Sequence, residues 1–313
     1  MQELIYGCMG LGGSWSDEPH GTDHVDEAAA AVEAALAAGI TLFDHADIYR
    51  SGKSEAVFGE VLAATPGLRD RIRLQTKCGI RLNERGLATH YDLSRDAILE
   101  RVRGSLKRLQ TDHVDVLLLH RPDPLTHLGE VAGAVGQLLA EGAVRQVGVS
   151  NMSGAQIHAL QDRLDVPVVA NQLEMSLLKR AWLESQVLVN HPDSLDYAFP
   201  HGTVEYCTSN GVTLQAYGSL ARGLYTGAAP EDPTSAETAT AALVRDLAGK
   251  YGSTGESVLL GWLMKHPAGI APVIGTVNPA RIAACADAGR VSEAMTRADW
   301  YGLWIAARGT NLP

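Results

Sequence analysis

The sequence has few aromatic residues and few cysteines, and both shortages narrow the classes of protein it can belong to. Only 5% of its 313 residues are Phe, Trp or Tyr, and its four cysteines, Cys8, Cys78, Cys207 and Cys285, are scattered without a CxxC pair. Disulfide-rich domains and cysteine-ligated zinc sites both need closely spaced cysteines. The pattern therefore indicates neither a disulfide scaffold nor a zinc cluster.

Long apolar runs and an excess of basic residues are missing as well. No apolar run reaches the roughly 18 residues that span a bilayer, and the first residues, MQELIYGCMGLGG, do not resemble a secretory signal. The 26 Lys and Arg residues are outnumbered by 36 Asp and Glu residues, which gives a formal net charge of −10. Since negative charge repels phosphate backbones and anionic lipids, we expect a cytoplasmic protein with no nucleic-acid or membrane partner.

Three common ligand motifs are also absent. The segment SGKS at residues 51–54 ends like a P-loop, but Asp47 stands where that loop needs its first glycine. We instead expect Asp47 to make local hydrogen bonds near a helix start or strand end. The glycine-rich segment at residues 9–15 lacks the GxGxxG spacing, and no HExxH pattern gathers histidines with carboxylates, so no metal is predicted.

Short apolar runs alternate with stretches of helical periodicity, the pattern of βα units. The predicted strands are Leu4–Met9, Thr41–Phe43, Ile72–Thr76, Val114–Leu119, Val144–Val149, Val168–Ala170, Val212–Ala216 and Ala271–Ile274. The predicted helices are Asp26–Ala38, Ser54–Ala63, Ser94–Leu109, Leu128–Leu139, Gly154–Leu160, Thr203–Ser209, Ser235–Lys250 and Pro279–Ala288. Without a linker or a break in composition, they predict an α/β protein, a single (β/α)8 TIM-barrel domain over residues 1–313, with a doubly wound sheet as the alternative.

Nearly every predicted strand is followed by a polar side chain. These residues are Asp44, His45, Lys77, His120, Arg121, Ser150, Asn151, Asn171, Gln172 and Tyr217. The carboxyl ends of barrel strands converge on one mouth, where the active sites of barrel enzymes lie. A lone polar residue at a strand end is usually solvated, but the joint pattern predicts a functional site.

These residue types point to carbonyl chemistry. Lys77 buried near Asp44 is expected to stay cationic and to lower the pKa of a neighbouring tyrosine. Tyr49, five residues after Asp44, can return to the same mouth and give a proton to a carbonyl oxygen that His120 orients. Because no protein side chain supplies hydride, a cofactor must supply it.

Seven segments carry a resemblance to a known family: FDHADIY, LQTKCGI, DVLLLHRPD, VGVSNMS, NQLEMS, LQAYGSLARG and VIGTVNPARI. Over essentially its whole length the sequence resembles the aldo-keto reductases, and within them the bacterial YdhF-like oxidoreductases. The resemblance implies a (β/α)8 barrel that binds NADPH in an extended form. Asp44, Tyr49, Lys77 and His120 match the four catalytic residues of the family.

The resemblance also implies cofactor contacts. Ser150, Asn151 and Gln172 match the residues that hold the nicotinamide carboxamide, and Tyr217 the residue that stacks on its ring. Leu220, Arg222 and Gly223 are expected along the pyrophosphate, and Thr276 and Arg281 at the 2′-phosphate. A guanidinium pairs well with phosphate, so NADPH is expected rather than NADH.

The residues leave substrate and partners more open. Trp15, with Tyr49 and His120, is a candidate wall of the substrate pocket, although simple loop packing explains Trp15 equally well. Arg121 either attracts an acidic substrate or pairs with Asp123, and we favour the pair because such surface pairs are common. The expected partner is a small-molecule carbonyl compound, and the expected assembly is a monomer or small homo-oligomer.

Three function classes follow from these observations. The first is an NADPH-dependent reductase of aldehydes or ketones. The second is an aldolase-like lyase in which Lys77 forms a Schiff base. The third is a non-catalytic nicotinamide-binding regulatory subunit, against which an intact set of four catalytic residues argues.

Overall fold

The computed structural model describes residues 3–84, 86–228 and 230–313. It confirms the predicted alternation of strands and helices, and each predicted strand overlaps an observed one. Eight strands form the main sheet: β1 (Ile5–Gly7), β2 (Leu42–Asp44), β3 (Arg73–Cys78), β6 (Val114–Leu119), β7 (Val144–Ser150), β8 (Val168–Glu174), β9 (Thr213–Tyr217) and β10 (Ala271–Ile274). Two further strands, β4 (Ile80–Glu84) and β5 (Leu87–Tyr91), pair in a separate antiparallel hairpin.

The main sheet is a closed barrel. Its strands lie in the order β1-β10-β9-β8-β7-β6-β3-β2. The pairs whose register is resolved are parallel, with Asp44 opposite Gln75 and Lys77 opposite Leu118. Parallel neighbours require a crossover between consecutive strands, which the helices supply. The predicted (β/α)8 barrel is therefore confirmed, and the doubly wound sheet is excluded.

Helices connect the strands. They are α1 (Thr22–Ala37), α2 (Lys53–Ala64), α3 (Leu68–Arg71), α4 (Arg95–Leu109), α5 (Leu128–Ala140), α6 (Gly154–Gln161), α7 (Ala181–Val187), α8 (Thr203–Ser209), α9 (Ser235–Tyr251), α10 (Gly255–Met264), α11 (Pro279–Ala283), α12 (Ala288–Ala294) and α13 (Arg297–Arg308). Side chains of Ser153, Thr234, Thr254 and Thr296 accept a hydrogen bond from the third residue of α6, α9, α10 and α13. These caps satisfy backbone donors that have no partner inside the helix.

Several elements differ from the predictions, and the helices α3, α7 and α13 are absent from the predicted list. The hairpin β4–β5 was not predicted, and neither was α10, which is buried around most of its circumference and so lacks the amphipathic period of a surface helix. The predicted helix Pro279–Ala288 was too long, since α11 ends at Ala283 and α12 begins at Ala288. Asp287 precedes α12, and its carboxylate pairs with Arg290 in that helix.

The chain divides into two compact units. One contains residues 5–172 with residues 275–279, and the other contains residues 173–274 and 280–313 with the amino-terminal residues up to Leu4. The sheet residues Val116, Leu118 and Ala170 form a buried apolar cluster in the first unit. The assignment of residues 1–313 to a single domain stays a prediction. No helix in the described parts of the chain is long and apolar enough to cross a membrane.

The second unit contains a cluster of four tryptophans. Trp262 stacks on Trp300 with ring centroids 5.3 Å apart, and the indole N–H of each donates to the backbone carbonyl of the other. Trp182 packs edge-on against Trp262, and Trp304 edge-on against Trp300. The indole of Trp304 donates to the buried carboxylate of Glu184 at 2.9 Å. These rings bury a large apolar area while most of their polar N–H groups find partners.

A glycine permits the close approach of α2 and α4. A Cβ atom added at Gly59 in α2 would overlap the backbone carbonyl oxygen of Arg108 and lie 2.9 Å from the carbonyl carbon of Leu109. Backbone atoms cannot move aside as the end of a flexible side chain can. The packing of these two helices therefore requires glycine at this position.

We expect Gly59→Ala to destabilise the protein by about 1–3 kcal/mol, the usual cost of overpacking. The matched control is Gly136→Ala, because Gly136 is exposed within α5 and has no atom within 4 Å of an added Cβ. That control is expected to gain about 0.5–1 kcal/mol through helix propensity. Urea unfolding measures both changes, and a similar shift in the two variants would contradict the close approach at Gly59.

Candidate active site

The four residues expected to act in catalysis come from three neighbouring barrel strands of the first unit and from the segment after β2. Asp44 is the last residue of β2, Lys77 lies in β3 and His120 directly follows β6. Tyr49 begins a short 3₁₀ turn that leads into α2. Hydrogen bonds between backbones extend beyond the apolar runs, for example from Asp47 N–H to Lys77 O. Asp44 and Lys77 belong to β2 and β3, whereas the predicted strands ended one residue before each of them, at Phe43 and Thr76.

Lys77 joins three of these elements through its ammonium group. Its Nζ donates to Asp44 Oδ2 at 2.7 Å, to the backbone oxygen of His45 at 2.9 Å and to Tyr49 Oη at 2.9 Å. Gln75 donates to the other oxygen of Asp44 at 2.6 Å. An ammonium has three protons, so all three are used. Tyr49 Oη accepts one of them, and its own hydroxyl proton therefore remains available to another acceptor.

The charge of Lys77 is preserved in a fully buried position. Burial alone would lower its pKa, but the carboxylate of Asp44 and the oxygen of Tyr49 outweigh that effect and raise the pKa above its ordinary value. The Lys77 side chain is 0% exposed and that of Asp44 is 2% exposed. The pair is therefore a buried salt bridge, in which removal of either residue would leave an uncompensated charge in the interior.

The structure corrects the expected titration of Tyr49. Burial raises the pKa of Tyr49 above its ordinary value, although the Lys77 ammonium lowers it. The expectation of a lowered pKa was wrong because desolvation of the phenolate outweighs its attraction to the ammonium. Tyr49 is consequently protonated at neutral pH, which is the form that can give up a proton.

His120 lies beside Tyr49 as a neutral imidazole. The two ring centroids are 6.2 Å apart with the rings nearly perpendicular. Burial, followed by the charges of Lys77 and Arg121, lowers the pKa of His120 to about 2. A neutral imidazole has one N–H donor and one acceptor nitrogen. His120 can therefore hydrogen-bond a carbonyl oxygen without bringing a second cation next to Lys77.

Three residues predicted to hold a carboxamide lie together at the ends of β7 and β8. Ser150 pairs with Gln172 across the two strands, and Ser150 Oγ donates to the Gln172 carbonyl at 2.9 Å. Asn151 has a left-handed backbone with φ of 57° and donates from Nδ2 to Ser150 Oγ at 2.8 Å and to His120 O at 3.4 Å. Gln172 lies within β8, which extends four residues beyond its predicted end.

The other predicted cofactor residues are spread over both units. In the first unit, the backbone oxygen of Thr276 accepts from Tyr6 Oη at 3.0 Å. The second unit carries the remaining five: Tyr217 at the end of β9, Leu220, Arg222 and Gly223 in the turn after it, and Arg281 on α11. Arg222 and Arg281 are exposed. Arg222 and Gly223 have φ of 57° and 82°, in the left-handed region.

Trp15 lies in the loop between β1 and α1. It is 47% exposed, so it is not packed into the interior. The guanidinium carbon of Arg50 lies 5.4 Å from the centre of its ring. Among the described residues, no three His, Cys, Asp or Glu side chains are grouped so that they could hold a metal ion.

Asp47 is a buried carboxylate whose surroundings the sequence did not reveal. It is 3% exposed, and neither of its carboxylate oxygens has a hydrogen-bond partner among the described residues. Its nearest cation is Arg101, with Nε 3.7 Å from Oδ2. Burial and then the charge of Glu55 raise its pKa to about 7, although Arg101, Arg108 and Arg81 lower it. The expected local hydrogen bonds of its side chain were therefore wrong.

This raised pKa makes stability depend on pH. The folded protein holds the Asp47 proton up to about pH 7, whereas the unfolded chain loses it near the ordinary value of 3.8. Raising the pH between these values therefore lowers the free energy of unfolding, because the unfolded chain releases the proton that the folded protein retains. We expect Asp47→Asn to become more stable than the wild type by about 1–3 kcal/mol between pH 4 and pH 8.

Urea unfolding at several pH values measures this difference. The exposed Asp70→Asn variant is the control for loss of one acidic group from the same unit. Arg101 keeps a partner in Asp47→Asn because it also pairs with Glu84. A difference between wild type and Asp47→Asn that stays constant from pH 4 to pH 8 would rule out the raised pKa.

Comparison with known proteins identifies the family. The profile of the Aldo/keto reductase family matches residues 3–298. The chain is 36% identical to 6-dehydroglucose reductase from Agrobacterium fabrum over 100% of this chain and 96% of that protein. It is 36% identical to the oxidoreductase YdhF from Escherichia coli over 90% of this chain and 88% of that protein. The chain belongs to the aldo-keto reductase family.

Solved structures show the same fold. Glycerol dehydrogenase from Gluconobacter oxydans superposes with a TM-score of 0.79 at 22% identity, covering 99% of this chain and 93% of that one. A thermostable aldo-keto reductase solved with the inhibitor epalrestat gives a TM-score of 0.74 at 23% identity, covering 97% and 94%. The resemblance predicted from the seven sequence segments is confirmed. The chain is an oxidoreductase of a family that generally uses a nicotinamide cofactor.

Proposed function

We propose that this protein reduces an aldehyde or ketone to the alcohol with NADPH, and that Tyr49 is the general acid. The observation that supports this function is the Lys77 ammonium bound at once to Asp44 and Tyr49. When bound, NADPH supplies hydride to the carbonyl carbon. The developing negative charge on the carbonyl oxygen then needs a proton, and the free hydroxyl proton of Tyr49 provides it.

Each neighbour of Tyr49 has a part in this proton transfer. The Lys77 ammonium stabilises the phenolate that remains, and Asp44 with Gln75 keeps the ammonium in place. Preorganised charge of this kind needs no reorientation during the reaction. We propose that His120 hydrogen-bonds the carbonyl oxygen and orients it towards Tyr49, and that Trp15 forms one wall of the substrate pocket.

The residues present suit a nicotinamide cofactor. The hydroxyl of Ser150 and the amides of Asn151 and Gln172 are the donors and acceptors that a carboxamide requires. We propose that these three hold the carboxamide and that Tyr217 stacks on the nicotinamide ring. We assign Leu220, Arg222 and Gly223 to the pyrophosphate, and Thr276 and Arg281 to the 2′-phosphate.

Arg281 is expected to determine the choice of cofactor. We expect the wild type to bind NADPH at least about tenfold more tightly than NADH, a difference of about 1.4 kcal/mol. Arg281→Ala removes the cation opposite the 2′-phosphate and should lose most of that preference without weakening NADH binding. Titration of the purified protein with each nucleotide, followed by cofactor fluorescence, gives both affinities. Equal loss for NADPH and NADH would contradict the assignment.

Turnover tests the reductase itself. Purified protein, NADPH and a series of aldehydes should give a loss of absorbance at the nicotinamide band and an equal amount of alcohol. Sugar-derived carbonyl compounds belong in this series because relatives from Agrobacterium fabrum and Novosphingobium aromaticivorans, 36% and 37% identical, are named 6-dehydroglucose reductase. Binding of NADPH without any turnover would favour the regulatory subunit.

The environment of Lys77 disfavours the Schiff-base alternative. An amine must lose its proton before it attacks a carbonyl carbon, whereas Asp44 and Tyr49 raise the pKa of Lys77. Borohydride treatment with an aldehyde should therefore leave no adduct on Lys77, and a mass increase at this residue would reverse the preference. The cytoplasmic location and the monomer or small homo-oligomer remain proposals.

A further inference from the structure

Arg50, directly after Tyr49, adopts a backbone conformation that glycine would adopt at less cost. Its φ is 52°, that of Ser51 is 58°, and Gly52 follows with 87°. The left-handed region is unfavourable for residues with a Cβ atom, yet two of them precede the glycine. Strained positions of this kind cluster at functional sites. The position of Arg50 beside Tyr49 therefore raises the question of what its side chain does.

The Arg50 guanidinium is held in place but only partly used. Its Nε donates to the backbone oxygen of Met9 at 3.0 Å, and its central carbon lies 5.4 Å from the centre of the half-exposed ring of Trp15. Among the described residues, Arg50 makes no ion pair, and its two terminal nitrogens make no hydrogen bond. A guanidinium has five N–H donors. Four of them therefore remain for a ligand, on a group already fixed by an aromatic face and a backbone carbonyl.

Arg121, which directly follows His120, is a second cation without an acidic partner. The expected pair with Asp123 is not formed. Asp123 instead accepts from the backbone N–H groups of Leu93 and Leu125, both at 2.9 Å, and from the hydroxyl of Thr126 at 2.5 Å. No ion pair involving Arg121 occurs in residues 3–84, 86–228 and 230–313. Its charge nevertheless contributes to the lowered pKa of His120.

Arg50 and Arg121, which directly follow Tyr49 and His120 in the sequence, have guanidinium groups without an acidic partner in the described part of the structure, in contrast with the acidic chain as a whole. Acidic residues outnumber basic ones by 36 to 26, and Asp44, the acidic member of the four catalytic candidates, is already bound by Lys77. Free guanidinium groups favour carboxylate and phosphate groups, which they can bind with two parallel hydrogen bonds. Positive charge on the residues that follow Tyr49 and His120 therefore favours a substrate that carries a negatively charged group.

We propose that Arg50 and Arg121 bind an oxyanion carried by the carbonyl substrate, so that the preferred substrates are aldehydes or ketones with a carboxylate or phosphate group. This inference rests on the proposed carbonyl reduction and adds the class of substrate. Arg50, preorganised by Trp15 and Met9, is the main contact. Preorganisation reduces the entropy lost on binding, which explains why a strained arginine replaces the simpler glycine.

Paired substrates of similar shape test this proposal. We would measure kcat/KM with NADPH for 4-carboxybenzaldehyde and 4-methylbenzaldehyde, using the wild type, Arg50→Gln, Arg121→Gln and, as a remote control, Arg103→Gln on the exposed surface of α4. The wild type should prefer the carboxylated aldehyde at least tenfold. Arg50→Gln should reduce that ratio about tenfold and Arg121→Gln by a smaller factor, while Arg103→Gln keeps it. Added salt should lower the ratio in the wild type through screening.

The ratio separates recognition from a structural role. If Arg50 only ties the loop at Met9 and Trp15, Arg50→Gln changes the rates for both aldehydes by the same factor, and the proposal is overturned. A wild-type ratio near one also overturns it. Turnover of both aldehydes in either case would leave the proposed reductase intact.

A binding experiment covers the case in which neither aldehyde reacts. Calorimetric titration of the NADP⁺ complex with 4-carboxybenzyl alcohol and 4-methylbenzyl alcohol measures recognition without chemistry. Tighter binding of the carboxylated alcohol, lost in Arg50→Gln, would support the anion contact although the reductase had failed. Equal affinities of the wild type for the two alcohols would overturn the proposed anion contact as well.

Discussion

Replacement of Tyr49 by phenylalanine is expected to lower kcat for carbonyl reduction by about 10³-fold, within the range for loss of a general acid. The variant keeps the ring but removes the hydroxyl group that both accepts a hydrogen bond from Lys77 and has a free proton. Lys77 retains two of its three acceptors, Asp44 Oδ2 and the His45 carbonyl. The substitution should therefore affect chemistry far more than folding.

Single-turnover measurements with bound NADPH isolate the step in which Tyr49 acts. NADPH affinity should stay within about twofold of the wild type, and Tyr301→Phe, which removes a surface hydroxyl on α13, should retain full activity. Because a general acid must be protonated, the wild-type rate should fall as the pH rises through the raised pKa of Tyr49. Less than a tenfold loss in Tyr49→Phe would assign the proton to another group.

The second large effect is expected from Asp44→Asn. The Lys77 ammonium and the Asp44 carboxylate are 2.7 Å apart and almost fully excluded from water. Removal of one partner leaves a buried charge without compensation, which typically costs about 3–5 kcal/mol. We expect a loss of stability of that size in urea unfolding, together with the loss of activity that follows when the ammonium beside Tyr49 is no longer held.

A double substitution tests the physical reason. Lys77→Met removes the charge and keeps much of the volume, so Asp44→Asn combined with Lys77→Met should recover most of the stability but none of the activity. The interaction energy from the four variants then measures the pairing itself. If the two single losses simply add, the buried pair does not explain the stability, and the low exposure of Lys77 would need another cause.

The barrel could be predicted because its signal is repeated along the chain. Most of the eight sheet strands contain a short apolar stretch, and helices lie between consecutive ones. The hairpin β4–β5 was not predicted because LATHY has no regular alternation of polarity and its residues are mostly exposed, unlike the buried barrel strands. Helix α10 was missed because a run that is buried on all sides carries no helical period.

In the candidate active site, the identities of the residues could be predicted from the sequence, but the directions of their pKa shifts could not. Asp44, Lys77 and Tyr49 form the expected cluster in the structure. The direction of the Tyr49 pKa and the isolation of Asp47 depend on how deeply each side chain is buried, which local sequence does not show. Likewise, the predicted ion pair between Arg121 and Asp123 is not formed, because the carboxylate of Asp123 already accepts hydrogen bonds from the backbone N–H groups of Leu93 and Leu125.

The distribution of tryptophan gives the protein two separate optical signals. Four of the five indoles lie in the stacked and edge-on cluster of the second unit, whereas Trp15, on the loop beside Arg50, is the only one in the first. Buried indoles emit at shorter wavelength than exposed ones. The red edge of the emission spectrum therefore belongs to Trp15 and reports on ligands near Arg50, while the blue edge reports on unfolding of the other unit. Trp15→Phe would remove the red-edge emission and leave only the emission of the four tryptophans in the second unit.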